Sequence, residues 1–261
     1  MALHKTDALV ISRFDFRETS LIVNFYTRHF GKISGILKGI REDPRKFASP
    51  LETFSFNDII FYKKASTNLH LVSHCELKDN FNALRHDVSR MGMGSIMMEL
   101  VDSIMPLEDK NEAVFDLTAA SLKELETTYN PDKVLTIFKI KMLSLSGFEP
   151  HFDSCVSCDS KIIGESKFSL SLGGLLCAGC YKKDIRARSI FRGTVASILH
   201  IQKNDFRVNL NLGLNPQIKR ELDAILNAFL NFHLEKELKS QKVVNRMQSV
   251  VIARDCEAKP K

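Results

Sequence analysis

The chain reads as an α+β protein: a small β-barrel module at the front, then a helical region with a four-cysteine knuckle inserted in it. Three observations predict this. Residues 5 to 78 are rich in β-branched and aromatic residues and are broken by turn signals roughly every 8 to 12 residues. After Asn80 the apolar period becomes helical. Cys155, Cys158, Cys177 and Cys180 make two CxxC pairs separated by eighteen residues, a spacing that converges four thiolates on one metal ion.

Five strands are predicted, over Lys5–Arg13, Thr19–Thr27, Lys32–Lys38, Thr53–Lys63 and Asn68–Leu77. Gly31 turns the chain between the second and third, and Gly39–Pro50 forms a basic loop after the third. Five short strands with a long excursion between the third and fourth fit an OB-type barrel. A helix over Phe81–Met105 follows from the stripe Leu84, Val88, Ile96, Leu100 and Ile104, and Pro106 ends it. Val114, Leu117, Leu122 and Leu125 repeat the pattern over Asn111–Tyr129. Pro131 starts a third helix that runs to about Ser146 and is stopped by Gly147 and Pro150. Lys167–Leu172 and Leu175–Leu176, around Gly173 and Gly174, read as a hairpin carrying the second CxxC pair. Ser189–Lys203 and Pro216–Lys239 read as two more helices. The expected domains are residues 1–79, the barrel; 80–242, the helical domain with its metal segment at 151–182; and 243–261, a basic tail.

At 261 residues and 44% hydrophobic, the chain can bury a sizeable core in one domain or two. No apolar run approaches the roughly 20 residues of a membrane span, and the N-terminus lacks the apolar segment of a secretory signal. These features read as a soluble, cytoplasmic protein. The formal charge is +6, unevenly spread. Residues 1–80 carry 12 basic and 9 acidic side chains, residues 81–154 carry 7 and 12, and residues 181–261 carry 16 and 8. Two basic ends flanking an acidic middle suit a polyanion or an acidic protein segment, although a merely solvated basic surface gives the same count.

Four protein thiolates would close a tetrahedral Zn²⁺ site and leave no position for an activating water. The metal is therefore expected to be structural, contributing roughly 10 kcal/mol or more of local folding free energy. Disulfides or metal-free thiols are the alternative, though nothing in the chain indicates an oxidising compartment. Cys75 and Cys256 stand alone and read as ordinary thiols, and His151, four residues before Cys155, is a conceivable substitute ligand.

The loop Lys38–Lys46 presents Lys38, Arg41, Arg45 and Lys46, interrupted by Glu42 and Asp43, with Arg13 and Lys32 elsewhere in the barrel module. On a barrel such residues can track phosphates, each contact adding about −0.7 to the logarithmic salt slope on single strands. Most of the interleaved aromatics are needed to fill the barrel. Phe14, Phe16 and Phe47, where strands give way to turns, are the best candidates for exposure. His74-Cys75-Glu76 formally matches half of a zinc deaminase pattern, but Ser154 and Leu176 stand where that pattern needs proline before its cysteines. There is no GxxxxGK[ST], HExxH or GxSxG, so neither nucleotide-hydrolysis nor acyl-transfer machinery is indicated.

The order of features resembles the RecO recombination mediators of bacterial DNA repair. The likeness is carried by Ala8–Arg13 with Glu18, Leu21–Lys38 with Gly39 and Arg41, and Pro50–Phe54. Leu143–Pro150, the pair Cys155 and Cys158, and Phe168–Cys180 complete it. The resemblance implies an N-terminal OB-fold and a helical domain holding zinc. It implies binding to single- and double-stranded DNA, annealing of complementary strands, and loading of RecA with RecR onto strands coated by single-strand binding protein (SSB). It also implies capture of the acidic, hydrophobic SSB tail by the helical domain, a nucleoid location and no enzymatic activity. Some members lack the cysteines, which agrees with a structural metal. An RNA-binding or transcription-associated zinc protein and a metalloenzyme with an open site are the competing classes.

Overall fold

The computed structural model describes residues 2–43, 45, 47–63 and 67–247. Lys46, Cys256 and the tail from residue 248 onward lie outside the described residues. The chain forms two compact units: one runs to Pro131 and takes in the described residues from Leu238, and the other spans Asp132–Glu237. No helix among the described residues is long and apolar enough to cross a membrane.

In the first unit, β1 (Ala2–Phe16), β2 (Ser20–Thr27), β3 (Gly31–Leu37), β4 (Phe56–Lys63) and β5 (Leu69–Asp79) close into a barrel of order β1-β2-β3-β5-β4. Only the β3–β5 pair is parallel, with Gly35 opposite His70, and this is the OB topology. The long β1 closes the barrel by pairing twice. Its first half runs against β4, Ala2 opposite Lys63, and its second half against β2, Phe16 opposite Ser20. The two pairings overlap at Ala8 and Leu9, and a register shift between Val10 and Ser12 interrupts the β1–β2 ladder. Val10, Val23, Phe25, Ile33, Ile59 and Phe61 fill the interior.

The first predicted helix is two. After α1 (Asn82–Arg85), Asp87 turns extended and its carboxylate accepts from the Ser89 and Arg90 amides, which caps α2 (Val88–Ile104). Asn111 caps α3 (Glu112–Thr127) in the same way, through the amide of Val114. The segment between α2 and α3 lies on the start of β3: the Glu108 amide donates to the Lys32 carbonyl at 2.9 Å, and Leu107 bridges to Lys32. Gly31 makes this approach possible. It holds φ +63°, and a Cβ there would sit 2.1 Å from the Asp109 carbonyl oxygen.

Around this seam charges pair closely. Lys32 donates to the Asp102 carbonyl at 2.5 Å and pairs with the Asp102 carboxylate at 3.1 Å. Arg28 reaches Asp116 at 2.8 Å, and Lys63 reaches Glu108 at 2.5 Å. Lys63, with buried His70 at 3.3 Å, holds the Glu108 carboxyl below its ordinary range.

The second unit begins with α4 (Pro131–Leu145) and holds a small sheet of order β7-β6-β8, from β6 (Ser166–Ser169), β7 (Gly174–Cys177) and β8 (Arg188–Ile190). Helices α5 (Arg192–Lys203), α6 (Phe206–Asn209) and α7 (Pro216–Leu234) complete it. Strand β8 takes Ser189, which the periodicity assigns to a helix; Arg192 starts that helix instead. The helix expected to reach Lys239 stops at Leu234, where Glu235 turns left-handed at φ 52°. A further helical stretch over 239–247 takes in the first residues expected as tail. Its N-terminus is held by Glu99 of α2, whose carboxylate accepts from the Lys239 and Ser240 amides at 2.9 and 2.8 Å.

Lys139 of α4 is 3% exposed and donates to Asn227 of α7 at 2.8 Å. Burial pulls its ammonium down to about 8, against the attraction of Asp223 and Asp132. The folded state therefore favours the neutral amine. The resulting destabilisation is full below pH 8 and disappears as pH rises through the ordinary value of 10.5, a span worth about 3 kcal/mol.

Two outcomes are expected on chemical denaturation. Gly31→Ala costs about 2 kcal/mol or more, because it adds a backbone clash to left-handed strain, whereas Gly147→Ala, at φ 78° with nothing within 4 Å, costs about 1 kcal/mol. Stability of the second unit rises between pH 8 and 10.5, and Lys139→Met flattens that rise; equal slopes in variant and parent would contradict the assignment.

Candidate metal centre and nucleic-acid interface

The metal segment is built by backbone pairing within the second unit. His151 exchanges bonds with the β6–β7 turn, its amide donating to the Gly173 carbonyl at 2.8 Å and its carbonyl accepting from Leu175 at 3.0 Å. The Val156 amide then donates to the Leu175 carbonyl at 2.8 Å, which lays the first CxxC turn beside β7. Both glycines of the Gly-Gly-Leu-Leu-Cys run have work here. Gly173 makes the turn at φ 68°, and a Cβ on Gly174 would lie 2.7 Å from the His151 carbonyl oxygen.

Cys155 and Cys158 stand on the first turn, Cys177 ends β7, and Cys180 lies in the 3₁₀ turn Ala178–Lys183. The four sulfurs all lie within 4.8 Å of one another, and Cys158 and Cys177 are 3.7 Å apart. A tetrahedral ion with metal–sulfur bonds of about 2.3 Å requires sulfurs about 3.8 Å apart, so the cluster fits one. The described cysteines form no disulfide.

Burial raises the Cys155 thiol, but N–H donation from Cys177, Ser157 and Cys158 outweighs it and brings it down to about 6. The Ser160 hydroxyl and amide lower Cys158, while hydrogen bonding with Cys158 pushes Cys180 up to about 11. A metal would displace the protons these thiols share. His151 is not in the cluster; its Nε2 sits 2.6 Å from the Ser154 hydroxyl. The His74-Cys75-Glu76 triplet lies in strand β5, where Cys75 is buried in the barrel core with its thiol pushed up to about 12, chiefly by burial, while His74 and Glu76 are exposed.

The predicted basic residues separate into two sets. Arg13, Arg41 and Arg45 line an open groove of about 630 Å³ at one end of the barrel, with Leu21, Ile40 and Phe47 among its walls. Arg13 donates to the Pro50 carbonyl at 2.7 Å, and Arg41 donates to the Arg17 carbonyl at 3.1 Å. A guanidinium has five N–H donors, so one such bond positions the group without exhausting it. Arg41 also faces Asp15 at 3.5 Å and Arg45 faces Asp43 at 3.6 Å, exposed pairs worth at most about 1 kcal/mol that a phosphate can replace.

Lys38 is exposed just beyond β3, outside the groove lining. Lys32 does not join this set: its side chain is 15% exposed and is committed to Asp102. Of the aromatics expected at the surface, Phe14 is 56% exposed and Phe16 half-buried under the Arg17 guanidinium. Phe47 is buried at 4%, because the loop folds back and packs it into the end of the barrel core. The groove floor and the acidic partners of Arg28 and Lys32 are invisible to sequence reasoning, since both depend on long-range contacts.

The structure is a closed OB barrel, a fold that commonly binds oligonucleotides, joined to helices and to a four-cysteine cluster positioned to hold a metal ion. Comparison with known families makes this specific. The family profile "Recombination protein O N terminal" matches residues 1–81, and "Recombination protein O C terminal" matches residues 85–242. The chain belongs to the RecO family, DNA repair and recombination mediators. It is 30% identical over 253 residues to the DNA repair protein RecO of Symbiobacterium thermophilum, covering 95% of this chain and 99% of that one. To the RecO of Syntrophus aciditrophicus it is 29% identical over 253 residues, covering 95% and 97%. To that of Thermoanaerobacter sp. strain X514 it is 28% identical over 251 residues, covering 96% and 100%.

Elemental analysis of the purified protein is expected to find one metal ion per chain, absent from Cys155→Ser and retained in Cys75→Ser. Retention in Cys155→Ser would contradict the four-sulfur site.

Proposed function

We propose that this protein binds single- and double-stranded DNA through the backbone phosphates, anneals complementary strands, and with RecR loads RecA onto SSB-coated single strands. The observation that carries this reading is the groove of Arg13, Arg41 and Arg45, with Lys38 exposed close by in sequence. The groove lies at the opposite end of β2 and β3 from the turn whose cations meet Asp102 and Asp116, and phosphate contacts position a strand without reading its sequence. Lys46, adjacent to Arg45, joins the set from sequence alone.

Two strands held on one basic surface are screened from each other and can pair, so annealing needs neither a catalytic residue nor a nucleotide. The ion in the cysteine cluster is Zn²⁺ in a closed structural role, and Cys155, Cys158, Cys177 and Cys180 would hold it. Capture of the SSB tail falls to the helical region, whose last 81 residues carry 16 basic side chains against 8 acidic. The protein works in the cytoplasm, at the nucleoid.

The test is annealing of complementary oligonucleotides coated with cognate SSB, without nucleotide, across a salt series. Acceleration that fades with salt is expected, and none from folded, metal-loaded protein would overturn the reading. Lys38→Glu with Arg41→Glu should weaken binding to unrelated strands by one common factor and reduce the salt slope by about 0.7 for each phosphate left unneutralised. A weakening confined to one sequence would contradict backbone recognition.

A further inference from the structure

The barrel has two ends carrying cations, and the fold treats them differently. At the β2–β3 turn, Arg28 pairs with Asp116, Lys32 with Asp102, and the Leu107–Asp109 segment lies against Gly31 and Lys32. Tyr26 also turns inward there, its hydroxyl donating to the Asn111 carbonyl at 3.2 Å and its ring 6.2 Å from that of Phe115. This end of the β2–β3 surface is thereby covered by the chain's own acidic segment. At the opposite end of the same strands, Leu21 of β2 and Ile40 just after β3 border the open groove.

That groove is more than a line of charges. A surface that only tracked phosphates would need no apolar concavity, yet the three guanidiniums stand around a recess whose exposed apolar lining comes from Ala48 and Pro50, above the buried Leu21, Ile40 and Phe47. Its volume of about 630 Å³ is comparable to the roughly 300–1,000 Å³ of small-ligand clefts, but the groove is open to solvent and can cover only one side of a ligand. A planar guanidinium stacks flat on an aromatic face and pairs bidentately with phosphate, whereas a lysine ammonium acts on either only as a point charge. A paired base in a duplex keeps its faces stacked and cannot enter such a recess. An unpaired nucleotide can place its base over the apolar floor and its phosphate on the rim.

We propose that this groove is a base-accepting subsite for an unpaired nucleotide, rimmed by Arg13, Arg41 and Arg45 and displaced from the β2–β3 turn. The assignment rests on the DNA-binding reading above and adds to it a preference for single strands. Stacking of a base on an aromatic ring changes affinity by about five- to 150-fold per base, and with Phe47 only 4% exposed the aliphatic and guanidinium surfaces here put this site toward the low end.

The experiment compares a thymidine strand with a chain of abasic deoxyribose phosphates of equal length and charge, by fluorescence anisotropy at matched salt, for the parent protein and for Arg41→Lys with Arg45→Lys. Arg45 is 96% exposed and Arg41 exposed, so the double variant keeps both the charge and the fold. The parent should bind the thymidine strand at least about fivefold more tightly, with the same salt slope on both ligands, and the double variant should lose most of that preference while retaining the slope. Equal binding of the two ligands by the parent overturns the subsite and leaves backbone binding standing. A preference unchanged in the double variant overturns the assignment to this groove, and no binding of either ligand overturns the DNA reading together with the subsite.

Discussion

The first unit depends on a backbone seam in which the segment between α2 and α3 lies directly against the turn into β3. A residue with a side chain at position 31 cannot be accommodated there, since its Cβ would stand 2.1 Å from a carbonyl oxygen of Asp109. Glycine at that one position lets the helices approach, and their acidic residues then meet the barrel's cations at Arg28, Lys32 and Lys63. The formal charge of the first 80 residues is therefore a poor guide to their surface. Part of that positive charge is neutralised by the acidic stretch that follows, whereas Arg13, Arg41 and Arg45 line the groove at the other end of the barrel.

The metal segment obeys the same kind of constraint on a smaller scale. Its four sulfurs converge because His151, Gly173 and Leu175 align one CxxC turn against the strand that carries the next cysteine. Gly174 leaves room for that strand to approach. A metal held by these four sulfurs would fasten a short irregular segment whose own core is small, a task that a closed donor set suits.

Local signals were legible where local physics decides the outcome. Alternating apolar residues marked all five barrel strands to within a few residues, and the cysteine spacing marked the cluster whose geometry fits a tetrahedral ion. The long excursion after β3 also pointed to the right barrel topology. Three features were illegible for one shared reason, contacts distant in sequence. Lys32 looked like a phosphate contact because Asp102, its partner, is 70 residues away. Residues 243–247 looked like the start of a tail, but they lie in the helical stretch 239–247, whose start is received by the carboxylate of Glu99, 140 residues away in sequence. Phe47 looked exposed because it sits in a polar loop, and only the closed barrel shows the hydrophobic end it fills. The split of the first helix was readable in principle, since an aspartate just before Val88 is a capping signal, but the apolar stripe runs across it and hides the break.

The central claim is that nucleic acid meets the barrel at the arginine groove and not at the β2–β3 turn. Photo-cross-linking of a single strand carrying a zero-length base probe, followed by peptide mapping, tests it directly. Adducts are expected within residues 13–21 and 39–50. Adducts concentrated within residues 26–32 and 102–116 would contradict the claim, because they would put DNA where the chain's own acidic helices lie.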